Sequence, residues 1–129
     1  MKACFIATRN IRCAITTMNF NETHEFKKDC KQLGKKYFSF PVDLETLKKI
    51  LTTVPLGTDK HFAVLYQNEL VKIAKARFFC ESLKGSSLRI IYAYWEQKQE
   101  IVFIELYFKG NQQRENQQRI KDYLKQFGM

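Results

Sequence analysis

The pattern of apolar and polar residues predicts three successive β-strands in the second half of the chain. Apolar, β-branched and aromatic residues fill the stretches 70–80, 88–95 and 101–108. The connectors between them, 83–87 and 96–100, are short and mostly polar, which is typical of turns. Connectors of this length join neighbouring strands as hairpins, so the three stretches are expected to form an antiparallel meander.

Alternation along these strands predicts which side chains share a face of the sheet, because residues two apart point the same way. In the third strand, Val102 and Ile104 are predicted to face the core together with Leu106 and Phe108. Simple hairpin pairing would gather a cationic group with a tyrosine on one open face: Lys75, Arg77, Arg89, Lys109 and Tyr107.

Helical spacing of apolar residues predicts three amphipathic helices around these strands. The first carries Phe26, Cys30, Leu33 and Tyr37 on one side, with lysines on the other, and Asn21 is its predicted cap. Pro41 is expected to break the chain before a second helix capped by Asp43. That helix bears Leu44, Leu47, Ile50, Leu51 and Val54, and the last helix bears Ile120, Tyr123, Leu124 and Phe127.

A short strand is predicted at 13–18, and 58–68 is predicted to be a loop or an irregular strand. The predicted order is therefore strand, two helices, three strands, helix. All the helices are expected to cover one face of the sheet.

Composition narrows the class of partner. The 129 residues are 45% hydrophobic, which suits one domain with one core. The 22 Lys and Arg residues exceed the 13 Asp and Glu residues, and the net charge of +9 favours a polyanionic partner: nucleic acid, an anionic membrane surface or an acidic protein. No apolar stretch approaches the roughly 20 residues of a spanning helix, and no signal peptide is evident, so a cytoplasmic protein is expected.

Metal and histidine chemistry have little support in the sequence. The four cysteines form no Cys-x-x-Cys pair, and with His24 and His61 they match no zinc motif, so neither a metal nor another cofactor is expected. His61 is a possible acid or base, but no neighbour in the sequence would orient it. The lysine-rich side of the first helix fits either a solvated surface or contacts with phosphates.

Three stretches resemble a known family. They are Lys75, Ala76 and Arg77; Leu83 to Gly85 leading into Leu88, Arg89, Ile90, Ile91 and Tyr92; and the run from Ile101 to Lys109. From about Ala14 to its end the chain resembles the RelE/ParE superfamily of bacterial type II toxins, in which an arginine opens the middle strand and a lysine commonly closes the next. The resemblance implies an α+β fold, a helical hairpin packed on one face of a small antiparallel sheet in the order β-α-α-β-β-β-α. It implies one RelE-like domain over residues 1–129, with 1–12 as an N-terminal extension.

The resemblance also implies a function. It is that of a metal-independent endoribonuclease that cleaves mRNA on the ribosome and is neutralised by a cognate antitoxin. The residues implied as catalytic are Arg89, Arg77, Lys75 and Lys109, and those implied as substrate-binding are Lys72, Lys84, Tyr107 and Arg114. One lysine of a Lys72/Lys75 group would act as base while Arg77 and Arg89 hold the phosphate.

The chain departs from the family at two positions. Gly110 follows Lys109 where well-known ribosome-dependent members carry an arginine, and Asn116 falls near the place of a tyrosine. Tyr107, Tyr92 and Arg114 are candidate replacements. Two other functions stay open: a ParE-like toxin that acts on DNA gyrase without cleaving RNA, and a non-catalytic RNA- or DNA-binding module. The module would stack bases on Phe78, Phe79, Tyr92, Tyr94 and Trp95.

Overall fold

The computed structural model describes residues 18–57, 61–81, 85–110 and 112–129, without the side chains at 78 and 85–87. Its elements in chain order are β1 Asn19–Glu22, α1 His24–Gly34, α2 Phe40–Thr53, β2 Phe62–Gln67, β3 Lys72–Cys80, β4 Gly85–Trp95, β5 Glu100–Phe108 and α3 Gln117–Lys125. A short 3-10 helix, Glu96–Lys98, joins β4 to β5. Most of the strand predicted at 13–18 lies outside the described residues, and β1 follows it.

The strands form one sheet in the order β1-β5-β4-β3-β2. The central strands β3, β4 and β5 pair antiparallel, so the predicted meander is confirmed. β2 is an antiparallel edge strand next to β3. It lies in the stretch 58–68, for which the sequence predicted either a loop or an irregular strand. β1 pairs parallel with β5 and makes the other edge. The sheet is therefore mixed, with its parallel pair at one side.

Helices cover both faces of the sheet. The hairpin of α1 and α2 packs on the first face, as predicted, where the small side chains of Ala74 and Ala76 lie in the same buried cluster as α2. The apolar side of α3 packs on the second face against Ile91, Ala93 and Trp95. The expectation that all the helices share one face is therefore wrong. The second face of β4 carries the apolar side chains of Ile91, Ala93 and Trp95, so it must also be buried against a helix.

A β-bulge in β5 changes which of its residues face the core. Ile91 pairs with Glu105 but Tyr92 pairs with Phe103, which leaves Ile104 as the extra residue. Phe103 and Leu106 consequently both lie in the first core. Ile104 and Tyr107 lie in the second core, where Val102 packs at its margin. The prediction that Val102 and Ile104 share a face with Leu106 and Phe108 is thus wrong, because the extra residue reverses the alternation. Ile104 is buried as predicted, but in the second core.

Two predicted helix caps are also wrong. Thr23 caps α1, since its side chain accepts a hydrogen bond from the Phe26 amide, whereas Asn21 lies in β1. α2 begins at Phe40 and includes Pro41 in its first turn, where a missing amide proton costs nothing. Asp43 instead accepts hydrogen bonds from the Ser39 hydroxyl at 2.7 Å and from the Glu81 amide at 3.0 Å. It therefore ties α2 to the end of β3.

An ion pair joins α1 to α3 around the edge of the sheet. Because β1 ends at Glu22, the backbone of β5 beyond Phe103 needs other partners. Asp29 accepts a hydrogen bond from the Leu106 amide at 3.1 Å, and Arg119 donates to the Ile104 carbonyl at 3.1 Å. The same two side chains form a bidentate pair at 2.6 and 3.1 Å. This pair fixes α3 relative to β5 and so sets how much of the second face stays open.

Candidate functional site

The part of the second face that lies beyond α3 carries a group of cations. Arg77 on β3 stands opposite Arg89 on β4, and Arg89 stands opposite Tyr107 on β5. One step along the sheet, Lys75 and Glu105 flank Ile91. We call Lys75, Arg77, Arg89 and Tyr107 the basic cluster. The strand register brings these four residues together, as the sequence predicted, and their roles in a reaction stay predictions.

The two arginines of the basic cluster repel each other. Partial burial and the neighbouring charge of Arg77 lower the pKa of Arg89 from its usual value, while Tyr107 opposes that change. Arginine stays charged at neutral pH despite such a change, since its ordinary pKa lies far above neutrality. An anion placed between the two guanidinium groups would relieve their repulsion and accept several hydrogen bonds. The arrangement is therefore suited to a phosphate.

Tyr107 supplies a protonated hydroxyl beside these cations. Burial, followed by the charges of Glu115 and Glu105, raises the pKa of Tyr107, and Arg89 and Arg114 oppose that rise. A phenol whose pKa exceeds the ordinary value of about 10 is protonated at neutral pH. The Tyr107 hydroxyl can therefore donate a hydrogen bond or a proton.

Two buried carboxylates lie next to the basic cluster, and sequence reasoning missed both as parts of the site. They are Glu105 and Glu115, the buried charged residues of the described part of the chain. Glu115 forms an ion pair with Lys75, with 2.9 Å between Oε1 and Nζ. Burial acts to raise the pKa of Glu115, but the hydrogen bond from Lys75 and further favourable contacts outweigh it, and the pKa is lowered. Glu115 is therefore a carboxylate at neutral pH.

Glu105 holds the connector between β5 and α3 in place. Its two carboxylate oxygens accept hydrogen bonds from the Gln112 side chain and the Asn116 amide, each at 2.8 Å. The connector therefore presents Arg114 and Glu115 to the basic cluster. Only the tertiary contacts reveal this, because nine residues separate Glu105 from Glu115.

The remaining predicted site residues lie apart from this group or cannot be placed in it. Lys72 stands opposite Tyr94, a residue of the first core, and it approaches Glu96 at 3.9 Å. The expected Lys72/Lys75 group is therefore wrong, because residues three apart on a strand point to opposite faces. Lys109 is exposed in the turn after β5. Lys84 lies outside the described residues.

Tyr92 is excluded as a replacement for the family's tyrosine. Its hydroxyl donates a hydrogen bond of 2.6 Å to the Pro55 carbonyl within the first core, and burial raises its pKa. Tyr94 also lies in the first core, and Trp95 packs against α3 in the second. These three residues therefore cannot form the base-stacking surface considered for a binding module, whereas Phe79 is 60% exposed.

His61 lies closer to the basic cluster than its sequence position suggests. Its carbonyl accepts a hydrogen bond from the Arg77 amide at 2.9 Å. Its backbone thus continues the pairing of β2 with β3. Local sequence patterns do not indicate this neighbour, because 15 residues separate His61 from Arg77.

A cleft of about 640 Å³ lies elsewhere, between the start of α1 and α3. Its lining mixes carboxylates such as Glu25 and Asp122 with Arg119 and Lys98. This mixture does not favour a polyanion, because a nucleic-acid strand is bound where positive charge predominates along its backbone. We therefore place the candidate site at the basic cluster.

Residues 18–57, 61–81, 85–110 and 112–129 hold neither a metal site nor a membrane-spanning helix. No group of three or more His, Cys, Asp or Glu side chains there could hold a metal ion. No helix in those ranges is long and apolar enough to cross a membrane.

Comparison with known proteins supports the fold. No protein-family model matches the sequence, and no curated protein matches it. One chain of the archaeal RelE–RelB complex from Pyrococcus horikoshii has a similar structure, with a TM-score of 0.56 and 18% sequence identity. The alignment covers 73% of this chain and 97% of that chain. The protein therefore has a RelE-like fold.

Proposed function

We propose that this protein is the toxin of a type II toxin–antitoxin module and that it cleaves mRNA on the ribosome without a metal ion. The observation that carries the proposal is the row of Arg77, Arg89 and Tyr107 across three strands, with Lys75 beside it. The RelE-like fold supports it, and the RelE–RelB complex supports an antitoxin as the protein partner.

The chemistry of the basic cluster suits cleavage by the ribose 2′-hydroxyl. In that reaction the 2′-oxygen bonds to phosphorus, the bond from phosphorus to the 5′-oxygen breaks, and negative charge accumulates on the phosphorane. Arg77 and Arg89 would stabilise that charge as preorganised donors. Tyr107, which holds its proton, would donate to the departing 5′-oxygen. A base takes the proton of the 2′-hydroxyl.

The direct test is to incubate the purified protein with free mRNA in EDTA, and with ribosomes programmed with the same mRNA. We expect cuts that leave 2′,3′-cyclic phosphates and 5′-hydroxyl ends, which a kinase can label without prior dephosphorylation. Ends that carry 5′-phosphates would contradict this mechanism. Intact RNA in both assays, with binding retained, would instead favour the gyrase-directed toxin or the non-catalytic module.

Binding of RNA or ribosomes should weaken steeply as salt rises. Each phosphate contact releases counterions, with a slope of about −0.7 in log K against log salt for a single strand. Three cations of the basic cluster therefore predict a slope of about −2 for a single-stranded oligonucleotide. Arg77→Gln should make that slope shallower by one contact. Affinity that does not change with salt would remove the electrostatic argument.

A further inference from the structure

Glu115 is an unusual residue to find beside three cations that would bind a phosphate. Its side chain is 6% exposed, whereas the Lys75 side chain that it contacts is 29% exposed. Burying a carboxylate is costly unless it is paired and hydrogen-bonded. Glu115 meets both conditions, since Oε1 accepts from Lys75 at 2.9 Å and Oε2 accepts from the Gln117 side chain at 2.8 Å.

The position of Glu115 is itself held from the sheet. Glu105 on β5 accepts a hydrogen bond from the amide of Asn116, the residue directly after Glu115. Asn116 also caps α3 through its side chain, which accepts from the Gln118 and Arg119 amides. The Glu115 carboxylate is therefore fixed between a strand and a helix start, rather than carried on a free loop.

This arrangement determines what Lys75 can do. The Lys75 Nζ donates a hydrogen bond to the Glu115 carboxylate at 2.9 Å, and an ammonium group offers three donors and no acceptor. The contact therefore uses Lys75 as a cationic donor rather than as a base. The contact also restricts a long side chain that would otherwise move among many rotamers. The ammonium is thus held next to Arg77 and Arg89, with its remaining exposed surface available to solvent or substrate.

We propose that Glu115 is a positioning residue that holds Lys75 as a fixed cation for the phosphodiester, so that Lys75 is not the base of the reaction. This inference rests on the proposed function. It changes the role that the sequence analysis offered for the lysine.

The first test needs no catalytic activity. Wild type and Glu115→Gln are treated with limiting acetic anhydride at neutral pH, and acetylation of each lysine is followed by mass spectrometry. Lys75 should react several-fold faster in Glu115→Gln, because it loses the ion pair. The matched control is Glu96→Gln, which removes the exposed partner of Lys72 at 3.9 Å. It should change the reactivity of Lys72 little, since exposed pairs are weak.

Unchanged acetylation of Lys75 in a folded Glu115→Gln protein would overturn the proposal. If circular dichroism shows that this variant does not fold, Glu115→Asp replaces it, because the charge stays but the shorter side chain lengthens the contact. Faster acetylation of Lys75 in Glu115→Asp than in wild type supports the proposal, and equal rates refute it.

The second test uses cleavage. With Lys75 as a fixed cation, Glu115→Gln should lower kcat about tenfold or more, as expected when a charge is misplaced, while RNA affinity is kept. If Lys75 were the base, loss of its hydrogen bond to Glu115 would leave its nitrogen free to approach the 2′-hydroxyl and would raise kcat, and that result would refute the proposal. If wild type cleaves no RNA, the proposed function fails, and the acetylation result still decides whether Glu115 positions Lys75.

Discussion

Replacing Arg89 by alanine is expected to slow RNA cleavage about a hundredfold or more, the scale seen when one preorganised donor to transition-state charge is lost. Arg89 stands between Arg77 and Tyr107 in the strand register. Arg89 lies in β4, which pairs with β3 on one side and with β5 on the other. Its side chain donates a hydrogen bond to the Leu88 carbonyl at 3.2 Å. Its loss should therefore remove charge from a rigid site without moving the neighbouring groups.

RNA affinity should fall much less than the cleavage rate, because Arg77 and Lys75 remain to contact phosphates. Arg89→Lys should recover only part of the rate, since one ammonium cannot reproduce the bidentate contacts of a guanidinium. Lys49→Ala, which removes an exposed cation from α2, is the control for net charge and should keep the wild-type rate. Cleavage rate and thermal stability are measured on the same preparations. Full activity in folded Arg89→Ala would refute the assignment of Arg89.

Phe103→Ala is expected to lower the free energy of unfolding by about 3–5 kcal/mol, the range for deleting a buried aromatic ring. The Phe103 side chain is fully buried. Its ring stacks on Phe26 of α1 at 5.2 Å and on Phe20 of β1 at 5.9 Å, and it meets the edge of Tyr92 at 6.4 Å. The cavity would open where α1, β1 and β4 meet. A loss of this size is a large part of the 5–15 kcal/mol that stabilises a typical domain.

Phe38→Ala makes the same substitution at a side chain that is 87% exposed, and it should change stability by no more than about 0.5 kcal/mol. Both variants are compared with wild type by urea unfolding. The described packing would be contradicted if Phe103→Ala lost less than Phe38→Ala, or if the two losses were equal.

The sequence predicted the central part of the site because hairpin connectors and strand alternation depend on local rules. Short polar connectors imply antiparallel neighbours, and two-residue spacing placed Lys75 and Arg77 on one face. The register then set Arg89 opposite Arg77 and Tyr107 opposite Arg89, so all four lie on the same face, as expected. The same rule places Lys72 on the opposite face from Lys75, since the two are three residues apart on one strand.

The sequence could not predict the bulge at Ile104, because the extra residue has no distinctive side chain and appears only when two strands are paired. It also could not assign α3 to a face. An apolar stripe shows that a helix must pack but not against which surface. That choice depends on which part of the second face stays uncovered when α1 and α2 have occupied the first.

The sequence by itself thus determined the three-stranded meander, the helical hairpin and the row of cations, all of which follow from patterns within a few residues. Only the tertiary structure decided that α3 packs on the second face against Ile91, Ala93 and Trp95, and that Arg77 stays exposed beside it. It alone placed Glu115 against Lys75, since that contact joins residues 40 apart in the chain and depends on how Glu105 holds the connector. Local patterns specify which side chains share a surface, whereas contacts between distant segments arise only from the packing of the whole sheet and its helices.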